Sequence, residues 1–370
     1  MTFPSWTPEQ LAYLALTQCP GFGYRRLQRL WRGSRSWQRA RTTSVSDWIR
    51  WGIPPPLAER ATHWRRSFDL PSWLGTVSDL GIQIVLPDDP QFPPHLSTIS
   101  DPPTLLFVRG TLPKAPSISL VGTRKPTTYG LSSVRELVPP LCEAGFITVS
   151  GLALGIDAEV HLVTLNHHGT TVAFVGNGVD DASLYPSSHL PLAQRIIEQG
   201  GAIVSEYGPG IQARKEHFPQ RNRLIAGYTL ATVVVEAAQE SGSLITAKLA
   251  LEEGHEVFSV PGSIWSKQSE GTNNLIRCGA VLCTSAKDIF DGLQMDRPEL
   301  SIQAQATLPL DPQEQALWEL LEEPLHQDDI SRRMETSSAH VSSLITMLEL
   351  KGSIVSLGGN TWVRSKRGDR

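Results

Sequence analysis

The sequence predicts an α/β protein in which helices cover both faces of a mainly parallel sheet. Three observations carry this reading. From residue 117 onward, short and nearly unbroken apolar runs alternate with longer segments of helical period. The runs are rich in valine and isoleucine and lack the polar alternation of a sheet with one face in water. Glycine, with serine, threonine or asparagine, follows nearly every run, where a strand must turn sharply into a helix.

The strand candidates are SISLVG (117–122), FITVSG (146–151), TTVAFVG (170–176), AIVSEY (202–207), ATVVVEA (231–237), EVFSVPG (256–262) and AVLCTS (280–285). The helical candidates between them are 130–145, 156–169, 190–201, 219–229, 243–254 and 272–279. Together they make a Rossmann-like domain over 117–293.

Other regions flank it. Residues 1–70 read as a small helical domain rich in tryptophan and arginine. Within it, CPGFGYRRLQRLW has the look of a helix–hairpin–helix turn whose Gly21 and Gly23 amides would face a phosphate; a plain turn between two helices fits equally well. Residues 71–116 are a proline-rich lead-in, with short strands IQIVL and TLLFV, that wraps onto the next domain. Residues 294–311 form a polar linker, and 312–370 contain three helices and a hairpin turned by Gly358-Gly359-Asn360, the plan of a winged helix. Its third helix, 337–351, offers only Lys351 and His340 as basic groups, with Glu349 opposing them, which argues against duplex reading.

Composition narrows the class. The chain has 370 residues, 40% hydrophobic and 19% charged, as expected of a globular protein with a sizeable core. No apolar run reaches the roughly 18 residues of a membrane span, and the N-terminus lacks the basic start and cleavage site of a signal peptide. Cys19, Cys142, Cys278 and Cys283 have no metal or CxxC spacing and read as buried thiols in a reducing cytoplasm. The net charge of −4 is uneven: in residues 1–73, eleven arginines and no lysine against four acids give +7, which leaves −11 for the remainder. Seven of the ten tryptophans share that basic segment, where packing a helical core is the expected role.

Ligands of such a sheet bind at the carboxyl ends of its strands. Here the loops are 121–130, 149–157, 176–186, 205–223, 236–247 and 260–273, six glycine-bearing turns along one edge suited to anionic oxygens. The first lacks P-loop spacing, GNGVDD lacks the third glycine of a dinucleotide turn, and Ser150, Ser205 and Ser243 sit in no nucleophile elbow. Asp157 and His161 share a helix face without a third metal ligand, so local hydrogen bonding is their expected role. No catalytic constellation emerges, and no cofactor or metal is expected.

The cations on this edge are spread out: Arg124, Lys125, Lys215, Arg221 and Arg223, with Phe218 among them. Spaced cations with an interleaved aromatic suit a single strand with exposed bases. Pro219 fits a first helical position, which puts Arg221 and Arg223 in the first turn, roughly 200° apart. One should face the ligand and the other turn inward against an acid such as Glu206 or Glu236; spacing alone does not say which.

Read in order, VGTRKPTTYG, VSGLALGIDAEVHLVTL, TVAFVGNGVDDASLYP, GAIVSEYGPG, HFPQRNRLIAG, VVVEAAQESGSLITAKLALEEGHEVFSVPGS and GTNNLIRCGA resemble the DprA/Smf family of DNA-processing proteins, over about 117–281. The resemblance implies a non-enzymatic protein that binds and protects single-stranded DNA, loads RecA recombinase during natural transformation, and forms a homodimer through the Rossmann-like domain. It places the arginine of the family's VG[ST]R motif on Arg124 and its K-x-x-F pair on Lys215 and Phe218, with backbone contacts from turns at Gly122, Gly151 and Gly155. The whole candidate nucleic-acid-binding set is Gly122, Thr123, Arg124, Lys125, Ser150, Gly151, Gly155, Lys215, Phe218, Arg221, Asn222, Arg223 and Ser243. Two departures stand out: Leu154 where the family usually has arginine, and His255 likewise. The competing readings are a Rossmann-type nucleotide hydrolase, whose PGGxGTxxE signature is absent, and a winged-helix regulator of duplex DNA.

Overall fold

The computed structural model describes residues 6–294, 310–351 and 353–364. Most of the 294–311 linker lies outside the described residues.

Six helices open the chain: α1 (Pro8–Thr17), α2 (Tyr24–Ser34), α3 (Trp37–Thr42), α4 (Val45–Arg50), α5 (Pro55–Ser67) and α6 (Leu70–Asp79). Side-chain caps from Thr7, Ser36, Ser44 and Asp69 take up free amides at four of their starts. The tryptophans do pack this unit. Trp48 is fully buried and donates its indole proton to the Ala40 carbonyl, Phe22 lies against it, and Arg65 sits 5.0 Å over its ring. Tyr13, Trp31 and Trp37 form a second aromatic group. On α2, Leu27 and Leu30 face inward while Arg25, Arg26, Arg29 and Arg32 face solvent.

The lead-in does more than wrap. Its strands β1 (Gln83–Val85) and β2 (Leu106–Gly110), separated by α7 (Pro94–Thr98), join the central sheet antiparallel through β2. The remaining strands follow: β3 (Ser117–Val121), β4 (Ile147–Ser150), β5 (Thr171–Phe174), β6 (Ala202–Ser205), β7 (Ala231–Val234), β8 (Glu256–Ser259) and β9 (Val281–Leu282). The sheet order is β1-β2-β6-β5-β4-β3-β7-β8-β9, and every pairing from β6 to β9 is parallel. All seven predicted strands are present, and the mainly parallel Rossmann-like arrangement holds.

The connecting helices are α8 (Thr128–Glu143), α9 (Ile156–Asn166), α10 (Leu190–Glu198), α11 (His217–Tyr228), α12 (Gly242–Glu252), α13 (Glu270–Arg277) and α14 (Ala286–Gly292). Side chains alternate through the strands: Ile118 and Leu120 of β3 pack with α8, α9 and α14, and Val121 packs with α11 and α12. Because both faces are covered, polar side chains in the strands must find partners inside the layer. Thr148, Thr164, Thr171 and His161 do so as a chain, with 2.7 Å between His161 Nδ1 and Thr171 Oγ1. His161 is therefore a packed core residue, as expected. The cysteines are free thiols, but Cys278 is exposed and Cys142 half-buried; only Cys19 and Cys283 match the expectation of burial. Both outliers lie near helix C-termini, where a sequence pattern does not set depth.

The winged helix comprises α15 (Pro312–Leu320), β10 (Leu325–His326), α16 (Gln327–Arg333), α17 (Ser338–Leu350), β11 (Ile354–Gly358) and β12 (Thr361–Arg364). The two basic side chains expected on its third helix are engaged. Lys351 Nζ lies 2.5 Å from the buried carboxylate of Glu314, and His340 meets Gln313 at 3.0 Å. The wing turns back onto the central domain, bringing Gly358 close to Thr128 at the start of α8.

Burial lowers the His161 pKa from 6.5 to about 3, so the folded chain keeps the ring neutral while the unfolded chain takes up a proton. The fold should therefore lose stability as pH falls from 6.5 toward 3, by about 1.4 kcal/mol per unit. In urea melts at about pH 7 and about pH 5, wild type should lose about 2 kcal/mol more than His161→Gln. Equal losses would show that the ring is not held neutral.

Candidate nucleic-acid interface

The strand order changes direction at β3, whose neighbours are β4 and β7, and a crevice opens there at the carboxyl edge. A cleft of about 320 Å³ occupies it, lined among others by Gly122, Arg124, Asp157, Phe218, Arg221, Asn222 and Ser243. Residues far apart in the chain thus meet because four loops end at the same edge.

Arg221 forms the floor. It is 4% exposed, and its Nη1 donates to the carbonyl oxygens of Gly151, at 2.7 Å, and Phe174. A Cβ at Gly151 would lie 2.5 Å from the guanidinium, so only glycine admits it there. Asp157 is buried close by and accepts from the Gly151 amide at 3.0 Å and more weakly from the Ala153 amide at 3.4 Å. Burial pushes Asp157 up and brings Arg221 down to about 10, each opposed by the other's charge, so Arg221 keeps its proton at neutral pH.

Arg223 turns the other way and pairs with Glu206 at 2.5 Å and with Asp101 at 3.5 Å. Arg223 is thus the arginine that turns inward against an acid, as expected, and Arg221 is the one that lines the cleft, although its donors are spent on carbonyls. Both are internal, one against carbonyls and one against an acid. The helix also begins at His217, two residues before Pro219, so the proline sits within the first turn rather than at its start. The stacked pair His217–Tyr207, 4.0 Å between centroids, and the bond of His217 Nδ1 to the Gly176 carbonyl draw the helix out to that point.

Three of the expected cations stay on the rim. Arg124, Lys125 and Lys215 are exposed, and none has a salt bridge among the described residues. The guanidinium of Arg124 lies 5.0 Å over the ring of Phe218. Phe218 is half-buried and also meets Tyr185, whose ring centroid is 5.9 Å away and which is 48% exposed. Tyr185 was not singled out in the sequence; its signal was an aromatic before proline at the end of a glycine-bearing loop.

Of the two acids offered as an arginine's partner, Glu206 takes that place and Glu236 does not. Glu236 is instead 1% exposed and clamps the first loop, accepting from the Thr127 amide at 2.9 Å and its hydroxyl at 2.5 Å, with Gly130 against its carboxylate. The Thr123 amide donates to the Glu236 carbonyl, so the backbone on both sides of Arg124 is fixed. Gly122 packs on Ile156, and Gly155, at φ +84°, lies against the backbone of Thr123 and Arg124. These glycines let protein loops approach one another. The Gly151 amide is already taken by Asp157 and is not available to an anion.

Ser150 also differs from expectation: it ends β4, is fully buried, and donates to the Leu120 carbonyl, holding β4 to β3. Ser243 opens α12 at the cleft wall and shares a 2.7 Å hydrogen bond with Ser241. Asn222 donates to the Gly242 carbonyl across the cleft at 3.3 Å. Leu154 is 47% exposed on the β4 loop, and His255 bonds the Ala226 carbonyl elsewhere. No group of acids, histidines and cysteines fit to hold a metal occurs among the described residues.

Comparisons with known proteins fit this geometry. A family profile described as DNA recombination-mediator protein A matches residues 83–294, and one described as DprA winged helix domain matches 302–360. The chain is 37% identical to Protein Smf of Escherichia coli over 76% of its own length and 78% of that protein's. It is 39% identical to DNA processing protein DprA of Bacillus subtilis over 63% of this chain and 77% of the relative. The crystal structure of DNA processing protein A from Streptococcus pneumoniae superposes with a TM-score of 0.64 at 33% identity, covering 78% of this chain and 98% of that one. A structure of DNA processing protein A from Helicobacter pylori, described for its single-stranded DNA binding mode, gives 0.51 at 27% identity over 58% of this chain and 95% of the other.

The two arginines that line the cleft should separate in a denaturation experiment. Arg221→Met leaves Asp157 buried without its cation and two carbonyls unpaired, and should cost about 3–5 kcal/mol. Arg124→Ala removes an exposed cation–ring contact and should cost less than about 1 kcal/mol. Similar losses for both would mean that Arg124 also holds up the fold.

Proposed function

The chain belongs to the DNA recombination-mediator protein A family, and on that premise we propose that it binds single-stranded DNA across the carboxyl edge of its sheet. It protects the strand and loads RecA recombinase onto it during natural transformation, in the cytoplasm and without catalysing a reaction itself. One observation carries this reading: Arg124 over Phe218, beside Lys125 and Lys215, puts uncommitted charge and a π face on one rim. Phosphates meet the cations and a base stacks on the Phe218–Tyr185 pair.

The buried groups have a different part in the proposal. Arg221, Asp157 and Glu236 shape the cleft, and Arg221 adds a positive floor without direct ligation. Asn222 and Ser243, on the cleft wall, offer polar atoms to the strand. The engaged side chains of His340 on α17 and Lys351 at its end speak against a duplex regulator. A homodimer through the central domain is supported by Leu251 and Leu282, 56% and 49% exposed, on α12 and the two-residue edge strand β9.

Fluorescence anisotropy with labelled oligo(dT) and a duplex competitor tests the binding reading. Wild type should prefer the single strand, and Phe218→Ala should weaken binding about tenfold. The slope of log affinity against log salt should be near −2, as three neutralised phosphates require, and shallower in Arg124→Ala. Preference for duplex, or indifference to Phe218→Ala, would overturn the shelf as the binding site. Separately, Leu282→Glu should shift the protein from dimer to monomer in light scattering, and an unchanged mass would reject that edge as the interface.

A further inference from the structure

The loop after β8 carries a feature that the cleft does not use. Ile264 is 81% exposed and Trp265 is 90% exposed, side by side. Single apolar residues on a surface are ordinary, but a whole indole beside a whole isoleucine side chain is an unusual surface pair.

The tip is held, not loose. Asn273 grips Gly262 from both sides, accepting from its amide at 3.1 Å and donating to its carbonyl at 3.0 Å. A turn from the Ser263 carbonyl to the Ser266 amide closes the tip, and the Trp265 amide donates to Ser263 Oγ at 3.2 Å. The stem is tied to the loops of the cleft. The amides of Gly271 and Ala237 bond the carbonyls of Ala237 and Gln268, and Tyr129, from the start of α8, donates its hydroxyl to the Pro261 carbonyl at 2.6 Å. A rigid mount exposes the ring at a fixed place on the same sheet edge.

That place continues the rim. The loops after β5, β3 and β8 carry Tyr185, Arg124 and Trp265, and these strands lie in the order β5-β4-β3-β7-β8. At about 4.8 Å per strand, β3 to β8 is ~10 Å and β5 to β8 ~19 Å, a distance that several nucleotides must span. Lys267 is exposed two residues beyond Trp265, with Glu270 the nearest acid in sequence.

We infer that Trp265 is a second base-stacking platform, which takes a nucleotide of the same single strand after it leaves the cleft, with Lys267 at the neighbouring phosphate. Ile264 supports the stacked base from the side. This rests on the single-strand reading of the cleft and adds the strand's path: across the sheet edge from the β5 loop to the β8 loop.

The test compares oligo(dT) of about 6 and about 20 nucleotides on the full chain, with light scattering to confirm an unchanged oligomeric state. Trp265→Ala should weaken the longer oligomer about tenfold and leave the shorter within about twofold; Trp265→Phe should restore the affinity. The longer oligomer should quench tryptophan emission in wild type, and Trp265→Phe should lose that quench. Trp265→Ala that binds both lengths like wild type overturns the inference and assigns the tip to a protein contact. Equal loss for both lengths, or a changed oligomeric state, overturns it too. Phe218→Ala in the same assay separates the two readings: if it weakens binding and Trp265→Ala does not, only the second platform fails, and if neither does, the cleft reading fails as well.

Discussion

The guanidinium of Arg221 sits where three separately encoded segments end, and the shape of the shelf depends on it. Its bonds to the Gly151 and Phe174 carbonyls tie the start of α11 to the ends of β4 and β5. A neutral side chain there would leave two carbonyls of the strand ends facing each other without donors, in a layer that water does not reach. A charged one brings a desolvation penalty, which the nearby Asp157 carboxylate offsets, and that carboxylate is in turn held by two loop amides. The network closes only if residue 151 has no Cβ, so glycine in that turn is a requirement of the arginine beneath it.

A second clamp, of opposite sign, works the other side of the crevice. Glu236 leaves β7 and binds the Thr127 amide and hydroxyl, while its own carbonyl takes the Thr123 amide. Arg124 is therefore presented from a backbone fixed on both flanks, and its side chain reaches Phe218 on α11. The charges at this edge divide into two populations. Arg221, Arg223, Asp157, Glu206 and Glu236 satisfy one another or the backbone, and Arg124, Lys125 and Lys215 do not. Pre-organised loops matter for a flexible ligand, because a single strand already loses conformational freedom on binding and the protein then loses little.

The strands were legible because burial on both faces leaves a plain mark: nearly continuous Val, Ile and Ala runs followed by glycine. The two lead-in strands were also visible as apolar runs, yet their membership of the sheet was not, since antiparallel addition at an edge is a tertiary choice. At the candidate site, residue types and their order pointed to the edge where the cleft lies and to Arg124 and Phe218, which meet there. The failures concern partners. Helical spacing says that Arg221 and Arg223 diverge, but not that carbonyls from β4 and β5 wait for the first and Glu206 for the second. Ser150 looked like a turn residue and is the buried last residue of a strand. Glycines suited to a ligand proved to be glycines suited to neighbouring loops. Sequence shows which groups are available; packing decides which are already engaged.

The same distinction bears on how, in the proposed binding mode, a chain of net charge −4 would hold a polyanion. At physiological ionic strength a charge is felt over about 8 Å, so the acids distributed over the rest of the body are screened from a strand on the sheet edge. What a strand would meet in the proposed mode is the local population: Asp157, Glu206 and Glu236 are withdrawn into ion pairs and hydrogen bonds, while Arg124, Lys125 and Lys215 stand exposed, with Glu216 and Glu240 exposed in the same set of loops. The basic N-terminal unit adds a separate positive surface, with four arginines on the exposed face of α2 and Leu27 and Leu30 turned inward. It approaches the edge at the end of α1, where Gln18 comes near Gly208 in the loop after β6. In the proposed binding mode, charge on that unit would draw a strand toward the edge from a distance, whereas contacts with the rim cations and rings would set how long it stays.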